Sequence, residues 1–280
     1  MALNNSGPIS LAGSTAGQSI AVELGLGATT QISLNEASVR GLAGKASGAI
    51  VMPTDFYGKA NTYNLLIYVN GGGGGSVRGA DRPSSGAGGG GHAFYNNYAI
   101  APGGSSLTVT VGGAGAAAND HCTTQAPAGG TSSVNGGPTM TANGGSGGFG
   151  GSGCSGGNSR PGGAGGTASG GTTNTSGEQG QTAPGSRPGP GAYGGASPGP
   201  YGGARTSTPG EASPAVNGNN YGGGAAGAGV PNDGFTNPGS GAAGIVVIRY
   251  LGAQKGTGGT VTNDGTYTSH TFTNSGTFSP

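Results

Sequence analysis

"NGGSGGFGGSGCSGGNSRPGGAGG", residues 143–166, is the stretch on which the reading of this chain turns. Every third residue from Gly144 gives Gly144, Gly147, Gly150, Gly153, Gly156, then Ser159, Gly162 and Gly165. The next register gives Gly145, Gly148, Gly151, Cys154, Gly157, Arg160, Gly163 and Gly166. The third register carries the side chains Ser146, Phe149, Ser152, Ser155, Asn158, Pro161 and Ala164. A three-residue period fits the left-handed polyproline-II helix, which makes no internal hydrogen bonds. Its amides must bond laterally, and a glycine face lets a second backbone come close enough to receive them. Collagen does not fit, because the strict Gly-X-Y register breaks repeatedly. The expectation is a bundle of short polyglycine-II helices within one chain. The alternative is a flexible Gly/Ser linker.

The whole chain favours the bundle. It has 280 residues, 71 glycines and 17 prolines, with 7% charged residues, no Trp and a net charge of +1. Average glycine usage is about 7%. Disordered chains of low hydrophobicity usually carry high net charge, and this one does not. Glycine runs recur at 71–75, 86–91, 143–171, 189–203 and 221–229. They alternate with apolar segments that a linker would not need.

Four of those segments read as strands. "TYNLLIYVN" (62–70) leads straight into Gly71, and "SLTVTVGG" (106–113) alternates with period two. "PTMTANGG" (138–145) is weaker, and "GIVVIRYLG" (244–252) is a β-branched run suited to a strand buried on both faces. The expected fold is mostly β and irregular: a small N-terminal docking segment with short strands and helices, then a polyglycine-II helix bundle closed by a small antiparallel sheet. The domain boundaries are set at 1–60, 61–252 and 253–280. In the first, helices are expected over about 16–24 and 34–42, the second opened by the capping-box pattern Ser33-Leu34-Asn35-Glu36. At this size the segment buries little core alone and is expected to dock on something larger. In the last, Asn263-Asp264-Gly265 predicts a hairpin between Gly259–Asn263 and Tyr267–Thr273.

Chemistry-bearing residues are sparse. Glu23, Glu36, Asp55, Asp81, Asp120, Glu178, Glu211, Asp233 and Asp264 include no pair close enough in sequence to suggest a glycosidase. His92, His121 and His270 form no Ser/His/Asp pattern. "GGGGGSVRG" (71–79) lacks the Lys-Ser/Thr ending of a phosphate-binding loop. Neither enzyme activity nor a cofactor is expected. Cys122 and Cys154, with His121, leave three options open: buried free thiols, a disulfide, or a partial metal set lacking the usual zinc spacing. The near-neutral charge gives no nucleic-acid footprint. The first 30 residues lack a leader pattern, and the absence of any 18-residue apolar run predicts no membrane insertion.

Aromatic and arginine residues in stiff Pro/Gly loops suit recognition surfaces. Arg187, Tyr193, Tyr201 and Arg205 in 186–210, and Phe235 in 230–240, are the candidate contact residues. The competing reading is that Tyr193, Tyr201 and Tyr221, each followed by Gly-Gly, stack over glycine segments and seal the bundle edge.

The opening "GPISL", "ISLNEASVRGLAG" and "DFYGKA" are similar to the N-terminal segment of bacteriophage virion and tail proteins. From "NLLIYVNGGGGG" through "SLTVTVGGAG" and "GGSGGFGGSG" to "GIVVIRYLG", with the final "GTYTSHTFTNSGTF", the chain resembles the glycine-rich domain of phage tail-fibre proteins and tail-tip adhesins. The resemblance implies a stack of polyglycine-II helices capped by loops that touch the bacterial surface. It also implies partners among tail, baseplate or fibre proteins, a host surface glycan or outer-membrane protein as ligand, and self-association as a trimer. Such a protein is made in the host cytoplasm and ends on the virion tail, at a distal position. The alternative role is purely structural: a capsid decoration, tail spacer or fibre connector without receptor binding. A third class, ice binding, needs a regular flat face of small residues, which the Pro and Tyr interruptions break.

Overall fold

The computed structural model describes residues 2–79, 82–119, 125–150, 160–183, 185, 189–231 and 234–280. Two antiparallel sheets dominate it. The strands in chain order are β1 Tyr63–Asn70, β2 His92–Ile100, β3 Leu107–Thr110, β4 Ser132–Asn135, β5 Met140–Ala142, β6 Ala168–Ser169, β7 Thr173–Thr175, β8 Ile245–Leu251, β9 Thr260–Asn263, β10 Tyr267–Phe272 and β11 Gly276–Phe278. One sheet runs β7-β2-β1-β8-β10-β9 and the other β11-β3-β4-β5-β6.

The sheets face each other across one core. In β1, Leu65, Ile67 and Val69 are buried, and their neighbours Val246, Ile248 and Tyr250 in β8 point the same way. Leu107, Val109, Val134, Met140 and Phe278 come from the opposing sheet. Period-two alternation puts these side chains on one face of each sheet. β8 carries the continuous apolar run because it is central, paired with β1 and β10.

This architecture corrects the expected helix bundle closed by a small sheet. The protein is mostly β, with six- and five-stranded sheets as its frame. Its described α-helices are two short ones near the N-terminus: α1 Ile20–Glu23 and α2 Ala37–Ala43. The sheets are larger than expected because the long aromatic β2 and the polar or very short β4, β6, β7 and β9 to β11 joined them. Their pairing is set by neighbouring strands, and propensity alone did not reveal it. The tail, expected as a separate hairpin, does turn at Asp264, but β10 also pairs with β8 and β11 with β3.

The glycine segments are extended connections between strands. Consecutive amides of the first one serve three neighbours in rotation. Gly71 and Gly74 donate to Gly91 and Gly88, at 3.0 and 3.1 Å. Gly72 and Gly75 donate to Gly130 and Pro127, at 2.9 and 3.0 Å. Gly73 and Ser76 donate to Ala242 and Gly239, at 2.8 and 2.9 Å. We call this packed layer the glycine lattice. The lack of side chains is required by contact: a Cβ on Gly73 would lie 1.9 Å from the Gly223 carbonyl oxygen.

The N-terminal 60 residues form their own small cluster around Leu3, Ile20, Val39, Leu42 and Phe56. In place of the expected short strands there is a single bridge between Ser10 and Ser19. Ser19 caps α1 through a bond from Val22 N, and Glu36 closes half of the expected capping box by accepting from Ser33 N at 2.8 Å. α2 ends at Gly44, whose φ of 72° is the left-handed conformation glycine adopts most easily.

Candidate functional site

Strand direction gives the molecule two ends. β1 begins at Tyr63, opposite Ile100 of β2, and finishes at Asn70, opposite His92 and Ile245. At the Tyr63 end, clefts are lined jointly by Val22, Leu24 and Gly25 of the N-terminal segment and by Tyr63, Pro102 and Lys255. Asn61 N also donates to Glu23 Oε1 there, at 2.9 Å. At the Asn70 end the chain enters the lattice. The seven steps from Gly71 to Arg78 span roughly 20 Å at about 3 Å per residue.

The far end of the lattice is tied by single bridges, Val77 to Ala118, Gly79 to Thr236 and Gly189 to Val230. Here Phe235 stands 56% exposed, with the Arg78 guanidinium 4.9 Å from its ring centroid. Arg82 Nη1 donates to the Gly185 carbonyl at this end. Phe235 is thus a sequence candidate that lies at a tip. Arg187, Cys122 and Cys154 lie outside the described residues.

Tyr193 and Arg205 come together on the flank of the lattice. The guanidinium sits 4.2 Å from the Tyr193 centroid and pairs with Glu178 through both its Nε, at 3.1 Å, and its Nη2. The Arg205 hydrogen bond is the main reason the Glu178 carboxyl titrates below its ordinary range. Arg205 and Glu178 thereby hold the Tyr193 ring on this flank.

Tyr201 goes elsewhere. Its ring meets Tyr68 of β1 edge to face at 5.1 Å, and Tyr68 stacks on Phe94 of β2 at 4.7 Å. The loop carrying Tyr201 is pinned from below. Asn70 Nδ2 donates to Ser197 Oγ at 2.9 Å and to Pro198 O at 2.7 Å. On the same outer sheet face, Arg249 lies 4.2 Å over the Tyr267 ring and 2.5 Å from Asp264. Backbone N–H groups of Tyr267 and Thr266 first, then Arg249, hold the Asp264 carboxyl below its ordinary range. Burial raises the Tyr68 hydroxyl pKa.

Tyr68, Arg249 and Tyr267 escaped the sequence reading. Their signal was parity: residues 66 and 68, and 247 and 249, face away from the core positions of their strands. A charged Arg249 inside an apolar run marks a face that is not fully covered.

The polar groups seen do structural work. His92 Nδ1 faces Asn70 Oδ1 at 3.0 Å, and His270 lies between Tyr250 and the Gly258 carbonyl. Asp55 pairs with Lys45 at 2.8 Å and accepts from Val51 N. Among the described residues, no group of three His, Cys, Asp or Glu could hold a metal ion. No described helix is long and apolar enough to cross a membrane.

The model of a family described as a glycine-rich domain matches residues 55–251, from just before the sheets to the last residue of β8. No curated protein matches the chain.

Proposed function

The chain belongs to the glycine-rich domain family, and we propose that it is a bacteriophage tail-associated protein that recognises the host cell surface with loops carried on the glycine lattice. The observation supporting this is polarity. The N-terminal segment sits at the Tyr63 end of the sheets, beside Pro102 and Lys255. Phe235 and Arg78 sit at the other end, beyond the lattice. One end is free to dock on tail, baseplate or fibre proteins. The other presents an exposed aromatic and arginines to a surface glycan or outer-membrane protein, residue types suited to recognition. Assembly as a trimer would multiply weak contacts into avidity.

The test is position on the intact particle, by gold-labelled antibody against the folded chain. Label at the distal tail or fibre end is the expected result. Label over the capsid, or confined to the joint between fibre and tail, would replace this reading with a purely structural role. Absence from every particle would remove the phage assignment.

A further inference from the structure

The outer face of the six-stranded sheet, on the flank of the molecule, carries a second arrangement that the tip-contact reading does not use. Tyr68 and Phe94 are neighbours across β1 and β2, and Leu66 and Arg249 across β1 and β8. Tyr267 follows on β10, opposite Leu251. All of them alternate with core residues, so all project from the same side. Tyr68, Phe94, Tyr201, Arg249 and Tyr267 are each partly exposed. From Phe94 to Tyr267 is three strand spacings across and four residues along, roughly 20 Å at ~4.8 Å per strand and ~3.3 Å per residue.

We propose that this face binds a neutral glycan chain, its sugar rings lying against Tyr68, Phe94 and Tyr201 and its hydroxyls bonding to Arg249 and Asp264. Three observations select that ligand. Tyrosine presents an apolar ring with a polar tip, which matches a pyranose with its C–H face and hydroxyl edge. Arg249 is already neutralised by Asp264 at 2.5 Å, so the patch has no net charge to attract a polyanion. An ionised guanidinium and carboxylate side by side still offer strong donors and acceptors to hydroxyls. Exposed aliphatic side chains are few, Leu66 and Leu251, because Val247 beside Tyr68 is covered, whereas the buried centre of a protein interface is more apolar. The site is also held ready. Asn70 fixes the 197–202 loop at Ser197 and Pro198, so Tyr201 is positioned before a ligand arrives.

The test uses the full chain in isolation on an array of bacterial surface polysaccharides, both neutral and acidic. The expected result is capture by at least one neutral polysaccharide. Tyr201→Ala and Arg249→Gln should each weaken that binding about tenfold, while Val51→Ser, on the exposed N-terminal segment, leaves it unchanged. Melting curves establish that each variant is folded, and Tyr201, on a loop, is the substitution least able to unfold the sheet. No capture, capture of acidic polysaccharides only, or binding that survives both substitutions overturns the proposal. So does a dimer in sedimentation that Tyr201→Ala dissolves, since a second copy would then own the face. This outcome is separate from the position of the protein on a particle, so either reading can fail alone.

Discussion

Asn70 and His92 meet where β1 and β2 both pass into glycine, with Asn70 Oδ1 3.0 Å from His92 Nδ1 and both side chains buried. The pair has one consistent proton assignment. Pro198 O can only accept, so Asn70 turns its Nδ2 there and its Oδ1 to the histidine, and His92 Nδ1 carries the proton. One amide thereby joins the sheet, the lattice and the Tyr201 loop. Asn70→Ala leaves a buried N–H and a loop anchor without partners, and should cost about 1–3 kcal/mol in urea unfolding.

Both described histidines titrate below their ordinary value of 6.5, with burial as the first cause. Around and below pH 6.5 the unfolded chain takes up protons that folded His92 and His270 resist. Stability should therefore be flat above that value and fall as pH drops through it, until the folded sites protonate as well. A second fall should follow further down. Glu178 and Asp264 titrate below their ordinary 4.5 and 3.8 when folded, so the unfolded chain again binds more protons. Thermal melts from pH 8 to pH 3 would show both steps. A His92→Gln variant that melts normally at pH 8 should have a shallower first step. A first step unchanged in that variant would assign it elsewhere.

Tyr250 is the polar hub of the core. Gly258 O receives the proton on His270 Nδ1, at 2.7 Å, so Nε2 is left as an acceptor for the Tyr250 hydroxyl at 2.9 Å. The same oxygen accepts from Lys255 N and Gly256 N, at 2.9 and 3.1 Å. Tyr250→Phe keeps the ring and strips three partners at once. A loss of about 1–3 kcal/mol is expected in urea unfolding, and a neutral outcome would mean that water replaces the hydroxyl.

The lattice should discriminate sharply between glycines. In Gly73→Ala the new methyl would meet the Gly223 carbonyl oxygen at 1.9 Å, and backbone cannot swing away as a side chain can. The expected loss is about 3 kcal/mol or more, at the upper end for overpacking. Gly113→Ala has nothing within 4 Å of its added carbon and should melt within a few degrees of the parent. Equal behaviour of the two in thermal melts would refute the packing account.

Arg205 makes the most conspicuous surface contacts, yet its removal should matter little to stability. Arg205 and Glu178 are 52% and 32% exposed, and a solvent-screened pair is worth about 1 kcal/mol or less. Arg205→Ala should shift the unfolding midpoint only slightly in low salt, and still less in 1 M salt. A large salt-independent loss would point to the packing of Arg205 on Tyr193 in place of charge.

What could be read in advance follows from where the information lies. β1, β3, β5 and β8 announce themselves because one or both faces are buried, and Asn263-Asp264-Gly265 announces its turn. β9 and β10 follow from that turn, but β7 does not announce itself, since "TNT" is exposed throughout and acquires its pairing only from β2. The three-residue period of the glycine runs signalled lateral hydrogen bonding, but it overstated helix as the frame and understated sheet. For the site, Tyr193, Tyr201, Arg205 and Phe235 were legible as aromatic and arginine residues in stiff loops. Their dispersal to a tip, a flank and a sheet face was not, because the contacts that place Tyr201 and Phe235, to Asn70 and Arg78, come from far away in sequence.

That distance has a consequence for how the protein comes into being. The Gly73 amide, near the start of the lattice, receives its partner from Ala242, just before β8. At about 5–20 residues per second of synthesis, roughly 10–30 s separate the two. Throughout that interval the Gly73 and Ser76 amides on the ribosome have water as their partner, and one of the three neighbours of the first glycine segment is missing. The nascent chain should stay open and protease-sensitive until the last segment emerges, and then close in a single late event. A message cut short before β8 should yield no partial product that survives.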